Sequence, residues 1–427
     1  MNTEMKPARP MRPRRLLAGL GMIALGLLLA WRATSLGGLP DVGDPFDVAA
    51  FAAVSVADEA NAFVLYRQAV ARLVKTPPGA PEDWQSSGDP EAERTWGPRW
   101  LAANREALDL WRRGTERPEA EYVPPRSMNF ATMLPVIQWL RALARLAVRE
   151  GERLEAEGDP AGALGWYLAV ARSGNHCGRR GLTIERLVGI GLKSLAFNRL
   201  TRWAAHPKVD AALLRRAIAE VEAGASQVPP DSDCLKAEYL SFRNSIDDPK
   251  LMDPKWLGGD LPKIYEMPGG RAIMEDLPRV YKREPERSRR VIRLIIANWL
   301  AFCDLPDDRR PPHVANPLKK WGNLHVQVDL PAELFAADAS APASARVLPP
   351  EELARWWDST LYAKRYLPSL RTLDKTRARE KTERAALLIA LGNELYQRDH
   401  GWFPDRAEEL VGPYLKALPE TFVPPAR

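Results

Sequence analysis

Apolar residues recur at helical spacing along most of the chain, whereas the alternation typical of strands is nearly absent. In residues 61–73 the apolar side chains follow i, i+3, i+4 spacing, and Asp58 can cap that helix. Only residues 324–330, LHVQVDL, alternate like a strand. The helical pattern predicts further helices over 100–113, 129–157, 161–174, 185–205, 210–223, 291–303, 350–366 and 382–398. The sequence therefore predicts a mainly α protein of helical hairpins joined by long proline-rich loops.

Proline and glycine mark the expected ends of these helices. The breaks at 158–160, Gly-Asp-Pro, and 206–207, His-Pro, separate neighbouring helices, and Pro135 marks either a first turn or a kink. Residues 75–97 are predicted to form a polar loop. Residues 245–287 contain so many Asp-Pro and Pro-Gly pairs that no element can be assigned to them.

The stretch YQRDHGWFPDRAEEL near the C-terminus combines a histidine with acidic and aromatic residues, as a catalytic cluster would. We interpret it instead as a helix end that contains His400, followed by Gly401 in the left-handed position after the last turn. Phe403 is expected to pack inward. Asp405 is expected to cap the next helix, with Glu408 completing a capping box.

Residues 16–31 form an uninterrupted run of uncharged, mostly apolar residues between Arg15 and Arg32. The run can be an uncleaved signal anchor, a cleaved signal peptide or a buried helix. The small residues that cleavage requires are poorly placed, which favours a transmembrane anchor over residues 16–32. Basic residues precede it, so the N-terminus is predicted to be cytoplasmic and the body periplasmic, as in a single-pass protein of a bacterial inner membrane.

The net charge of +6 is concentrated at the N-terminus, because residues 1–15 carry five basic residues and one acidic residue, a net +4, which leaves +2 for the rest. This distribution fits a membrane-orientation signal and argues against a nucleic-acid partner. The predicted division of the chain is a cytoplasmic tail (1–15), an anchor (16–32), a linker (33–48), a helical domain (49–235), a loop-rich helical region (236–349) and a C-terminal helical segment (350–427).

Residues 144–171 resemble one tetratricopeptide-type helical hairpin. Gly151, Gly158, Ala163 and Tyr167 match its small residues, its turn glycine and its aromatic, although a 34-residue period does not continue on either side. The resemblance covers about 30 residues and implies stacked helical pairs and, by analogy, a protein-binding role.

Residues 390–419 are similar to a segment of type II secretion pseudopilins and related exported proteins. The closing Asp-Pro of that pattern and the prepilin N-terminal sequence are both absent from this chain. As a whole the chain looks like uncharacterised bacterial single-pass proteins with a helical exported body. The matching residues are Tyr396, Gly401, Phe403, Pro404, Leu410, Tyr414, Leu415, Leu418 and Pro419.

A few polar clusters are candidates for chemistry, and each also has a structural interpretation that we favour. His176 and Cys177, beside Arg179 and Arg180, could form a base and a thiolate, or a polar interhelical loop. Two acidic groups could bind a cation, or could cap helices and open proline turns. The residues of these two groups are Asp231, Asp233 and Glu238, and Asp247, Asp248 and Asp253.

The tryptophans and cysteines are similarly ambiguous. Six tryptophans lie on helical patterns, where they can stack on carbohydrate or, as we favour, fill gaps between helices. The three cysteines allow one disulfide with a free thiol, or three buried thiols. These residues are Trp139, Trp166, Trp203, Trp299, Trp356 and Trp357, with Cys177, Cys234 and Cys303.

Common enzyme motifs are absent, and the histidines His176, His206, His313, His325 and His400 never pair at metal-ligand spacing. No catalytic, cofactor-binding or metal-binding residue is therefore assigned, and no cofactor is expected. The sequence favours a membrane-anchored periplasmic scaffold that binds other proteins. Two alternatives stay open: an accessory component of a secretion or pilus-like assembly, and an exported hydrolase or ligand-binding enzyme.

Overall fold

The structure is a computed structural model of the 427-residue chain. It describes residues 41–82, 84, 89–132, 134–248, 251, 284–306, 309, 313–314, 330–331 and 370–419, with a short helical piece within 21–26.

The described residues are mainly helical, which confirms the predicted class. The α-helices are α1 (Val48–Ala53), α2 (Ala62–Ala71), α3 (Pro90–Ala103), α4 (Arg105–Thr115), α5 (Pro135–Glu157), α6 (Pro160–His176), α7 (Thr183–Ala204), α8 (Ala211–Ser226), α9 (Asp231–Ser245), α10 (Glu284–Phe302) and α11 (Leu370–His400). Short 3₁₀ turns cover Pro125–Ser127 and Ala407–Leu410.

The first predicted cap is wrong, because Asn61 and not Asp58 caps α2. Asn61 Oδ1 accepts hydrogen bonds from the backbone N–H groups of Phe63 and Glu121, each at 3.0 Å. Its Nδ2 donates to the Glu121 carbonyl oxygen at 3.0 Å. One buried side chain therefore caps the helix and also holds a segment 60 residues away. Asp58 offers only its backbone carbonyl, to the Asn61 N–H.

The predicted loop 75–97 contains the start of a helix. Asp89 accepts a hydrogen bond from the Glu91 N–H at 2.9 Å and so caps α3, and Pro90 occupies the first helical position, where its missing N–H costs nothing. The predicted helix 100–113 is likewise interrupted at Asn104. The Asn104 side chain is buried and bonds both backbone groups of Val74, which explains the break between α3 and α4.

Helices α5 and α6 form the predicted antiparallel hairpin. Pro135 is the first residue of α5 and introduces no kink; residues 129–132 and 134 are not helical. Gly158 ends α5 with φ +86°, a conformation that favours glycine, and Asp159 caps α6 by accepting from the Gly162 N–H. Tyr167 packs directly on Gly151, where a Cβ would lie 2.4 Å from its ring. The matching glycines therefore have the roles that a tight hairpin requires.

Successive helices pack as layers around the larger of two hydrophobic clusters. Helix α6 packs on α5 and α7, α2 packs on α4, and α8 and α11 cover the other side of α6 and α7. Leu387, Leu391 and Leu395 of α11 belong to this same cluster. A smaller cluster joins α1, α9 and α10, with Trp299 and Ile295 at its centre. The predicted core helix 291–303 is thus confirmed as part of α10.

The C-terminal predictions are partly wrong. Helix α11 begins twelve residues before the predicted start at 382, and Gly401 takes the expected left-handed φ of +86°. Phe403 is 50 % exposed rather than packed inward. The predicted capping box of Asp405 and Glu408 is also displaced by one residue. Glu409 accepts a hydrogen bond from the backbone N–H of Arg406, so Arg406 and Glu409 occupy the two capping positions.

Some predictions lie largely or wholly outside the described residues: the anchor 16–32, the assignment of 245–287, the helix 350–366 and most of the strand 324–330. Leu330 and Pro331 pair antiparallel with Val314 and His313. In the part of the chain that the structure describes, no helix is both long and apolar enough to cross a membrane. The anchor and the domain divisions therefore stay predictions.

Candidate functional site

The His176–Cys177 pair is built into the core and does not form an accessible base and thiolate. His176 Nδ1 lies 2.7 Å from the Tyr66 hydroxyl, and burial together with Arg179 lowers its pKa to about 3. Cys177 is fully buried, which raises the pKa of its thiol. Both groups are therefore neutral at physiological pH. The thiolate alternative is therefore wrong, because helix packing removes the solvent that a thiolate requires.

Arg179 and Arg180, the two arginines next to that pair in the sequence, bind elsewhere. Arg179 donates to the Pro118 carbonyl oxygen at 2.9 Å and pairs with Glu119, and Arg180 lies 3.4 Å from Glu121. They tie the α6–α7 connection to the 118–121 segment. Cys234 and Cys303 are also buried free thiols, so the structure contains no disulfide among the three cysteines.

The acidic residues of the first group point to different partners rather than to one ion. Asp231 is the first residue of α9, not its cap, and forms an ion pair with Arg377 at 2.7 Å. Asp233 and Glu238 accept backbone N–H groups of Arg180 and Thr183. Across the described ranges, no group of three or more acidic, histidine or cysteine residues could hold a metal.

The second acidic group is divided as well. Asp247 pairs with Arg289 at 2.7 Å, Asp248 donates its N–H to the Ser245 carbonyl, and Asp253 lies outside the described residues.

The tryptophans fill gaps between helices, as the favoured interpretation predicted. Trp203 and Trp299 are fully buried, and Trp203 Nε1 donates to the Pro160 carbonyl oxygen at 2.9 Å. Trp166 and Trp139 stack under Arg112 and Lys75 at 4.5 and 4.3 Å. Trp356 and Trp357 lie outside the described residues.

His400 and its neighbours perform local structural roles. His400 Nε2 lies 3.1 Å from the Tyr414 hydroxyl, and its ring stacks on Tyr396 at 4.3 Å. Asp399 pairs with Arg215 of α8 at 2.9 Å. These contacts fix the end of α11 against α8 and against the turn that follows.

The end of α11 leads to the first feature that the sequence did not single out, an exposed apolar surface. Trp402 is 64 % exposed, and Phe403 and Val411 are 50 % and 40 % exposed. We call these three residues the C-terminal apolar surface. Leu410 and Leu415, from the same segment, are buried against Gly392 of α11, so the exposed side chains project from a packed support.

The second unforeseen feature is a cavity of about 50 Å³ between α6, α7, α8 and α11. Its wall contains an ion pair: Lys193 Nζ lies 3.2 Å from Glu380 Oε1, and both side chains are 3 % exposed. Arg384 bonds the same carboxylate at 3.5 Å. Burial lowers the pKa of Lys193 to about 8, although Glu380 opposes that shift.

Arg172, Asn175, Glu220 and Gln227 are the other polar residues of the wall. Burial lowers the pKa of the Arg172 guanidinium, against the attraction of Glu220. Asn175 Nδ2 donates to the Gly224 carbonyl oxygen at 3.0 Å. The only sequence signal for this site was Lys193, a lysine in the apolar run of α7. Nothing in that run identifies its partner Glu380, which lies 187 residues later in the sequence.

Comparisons with known proteins add no assignment: no protein-family model, no curated protein and no solved structure matches the chain. The resemblances of residues 144–171 and 390–419 therefore rest on their own residues and stay predictions. The functional argument depends on the two features above, the C-terminal apolar surface and the cavity.

Proposed function

We propose that this protein is a membrane-anchored periplasmic scaffold that binds another protein through its C-terminal apolar surface. Trp402 carries the proposal. Trp402 is 64 % exposed and lies beside the half-exposed Phe403, and the contact of these large apolar side chains with water is unfavourable. Aromatic anchors of this kind dominate protein interfaces. The residue-16–32 anchor supplies the membrane attachment and the orientation, on the basis of the sequence.

The support beneath this surface favours a preformed binding site. Tyr396, His400 and Tyr414 pack their rings together below Trp402, with the His400 and Trp402 rings 5.8 Å apart. Arg398 bonds the Val209 carbonyl oxygen at 3.2 Å, which adds to the Asp399–Arg215 pair in fixing α11 to the body. A rigid support lowers the entropy lost on binding.

The ordered C-terminal turn also supports a second candidate, an accessory role in a secretion or pilus-like assembly. The matching residues Leu410 and Leu415 close onto α11, and Tyr396 and Tyr414 pack together at 5.7 Å. In this version the bound protein is another exported subunit of the assembly. The same surface serves both candidates, so the identity of the partner separates them.

Affinity purification of the full chain after crosslinking in native membranes tests the proposal. The double variant Trp402→Ala/Phe403→Ala should reduce recovery of the partner at least about tenfold, because loss of two aromatic anchors costs well over the free energy of a tenfold change. The matched control is Val54→Ala/Ile184→Ala, which removes two other exposed apolar side chains. Equal recovery with both variants would contradict the proposed surface.

A further inference from the structure

The cavity between α6, α7, α8 and α11 has an excess of positive charge in its wall. Arg172, Lys193 and Arg384 face two carboxylates, Glu220 and Glu380, across the lining. Lys193 and Arg384 both pair with the single carboxylate of Glu380. An anion in the cavity would balance the remaining charge, and its attraction to Lys193 would be strong because that side chain is almost fully shielded from water.

Three polar atoms at this wall are buried without a hydrogen-bond partner among the residues that the structure describes: Arg172 Nε, Asn175 Oδ1 and Lys193 Nζ. Lys193 Nζ is within ion-pair distance of Glu380, but not in hydrogen-bond geometry. Lys193 and Asn175 are 2 % and 4 % exposed. Native proteins leave few such groups unsatisfied. The wall can therefore donate hydrogen bonds to a ligand from Arg172 Nε and Lys193 Nζ, and can accept one at Asn175 Oδ1.

The size of the cavity limits the ligand. A volume of about 50 Å³ is several times the roughly 10–15 Å³ that one water needs, which corresponds to about three to five non-hydrogen atoms. Apart from Gln227, the rest of the lining is apolar, with Leu168, Phe197, Val221 and Val228. A peptide or a sugar would not fit, whereas a short carbon chain with one polar end would.

We propose that this cavity binds a small monocarboxylate that carries a hydroxyl group next to the carboxylate, as in a 2-hydroxy acid. The carboxylate accepts from Lys193 and Arg172, and the neighbouring hydroxyl group donates to Asn175 Oδ1. The short carbon chain lies against Leu168 and Phe197. This site is separate from the C-terminal apolar surface, so the proposal stands or falls independently of protein binding.

Calorimetric titration of the full chain in detergent tests the site with four probes: glycolate, glycine, acetate and inorganic phosphate. Glycolate should bind one molecule per chain. Glycine should bind more weakly, because its ammonium group places a positive charge beside Lys193 and Arg172. Acetate should bind at least about tenfold more weakly than glycolate, since it leaves Asn175 Oδ1 without a donor. Phosphate should bind more weakly than glycolate, because it exceeds the wall's excess charge. Absence of glycolate binding at millimolar concentration, or tighter binding of phosphate or glycine, would overturn the proposal.

A cavity-filling variant provides the structural control. A Cβ added at Gly224 meets only Asn175 Nδ2, at 3.9 Å, so Gly224→Leu should fold and occupy the cavity without changing any charge. It should abolish glycolate binding. Gly191→Leu adds the same side chain at an exposed position of α7 with nothing within 4 Å, and should leave binding unchanged. If circular dichroism shows Gly224→Leu unfolded, Gly224→Ala takes its place and should weaken binding. Undiminished binding in the folded cavity variant would rule out this cavity as the site.

Discussion

At the scale of single residues, burial decides the chemistry of the groups that looked reactive. Cys177 and His176 sit side by side in the sequence, as a nucleophile and a base would, yet the core keeps both of them neutral. A sequence shows which titratable groups are neighbours along the chain. It does not show how much water surrounds them, and the water determines whether the charged form is stable.

Glu185 provides a pH-dependent test at this scale. Its carboxyl is 2 % exposed and accepts from the Leu182 N–H at 2.7 Å, and burial raises its pKa from 4.5 to about 7. The folded state therefore binds this proton more tightly than the unfolded state. Stability contributed by the protonated form is present below pH 4.5 and is lost as the pH rises through about 7.

Glu185→Gln should become more stable relative to the wild type as the pH rises from 5 to 8, by up to about 3 kcal/mol. Its amide oxygen still accepts the Leu182 hydrogen bond, so the change mainly removes the ionisation. Urea unfolding at several pH values measures the difference, with Glu59→Gln as the control at an exposed carboxylate. A difference between Glu185→Gln and wild type that does not vary with pH would contradict a raised pKa.

At the scale of elements, periodicity predicted most of the helices, and the errors arose where the chain binds to a distant segment. The ends of α5 and α6 were predictable because Pro135, Gly158 and Asp159 act locally through the backbone. The cap at Asn61 and the break at Asn104 were not predictable. Each of those side chains binds backbone groups 30 or more residues away, and a local pattern does not encode that contact.

The hairpin of α5 and α6 gives a prediction with a matched control. Gly151→Ala places a Cβ 2.4 Å from the Tyr167 ring, which is fully buried and hydrogen-bonded to Glu155, so the helices must separate. The free energy of unfolding should fall by about 1–3 kcal/mol. Gly191→Ala, in open space on α7, should instead raise it by about 0.5–1 kcal/mol. Thermal unfolding of both variants measures these changes in stability. Equal changes in the free energy of unfolding would argue against close packing at Gly151.

The Lys193–Glu380 pair tests how α11 is joined to α7. Glu380→Met alone leaves the buried Lys193 charge without its partner and should cost about 3–5 kcal/mol, whereas Lys193→Met should cost less because Arg384 still pairs with Glu380. The double variant removes both charges and should cost clearly less than the sum of the two single costs. Denaturant unfolding of the four proteins gives the coupling energy. Additive costs would show that the two side chains do not interact in the folded protein.

At the scale of the whole molecule, the last described helix completes the core that earlier helices begin. Leu387, Leu391 and Leu395 are buried with the side chains of α6, α7 and α8, and Ser194 bonds Glu383 across 189 residues of sequence. Removing the C-terminal segment would therefore expose the core, and such a truncation would test folding rather than binding. Point changes at Trp402 and Phe403 avoid that problem, because neither side chain is part of the core.

The candidate surfaces also belong to this scale. The sequence pattern predicted that Phe403 packs inward. Leu410 and Leu415 occupy the position against Gly392 instead, and the aromatics remain outside. The cavity was equally hidden, because Asn175, Lys193 and Glu380 lie far apart in sequence. Composition shows how many apolar and charged residues exist, but only tertiary packing decides which of them stay exposed.

The most direct test of the central claim is photocrosslinking from position 402 in native membranes. A benzophenone amino acid replaces Trp402, and a second protein carries it at Ile184, another exposed apolar position. The account predicts a discrete protein adduct from position 402 that is absent from position 184 and disappears when Phe403→Ala is added. If position 402 yields no protein adduct beyond that from position 184, the C-terminal apolar surface is not a protein-binding site and the proposed function is wrong.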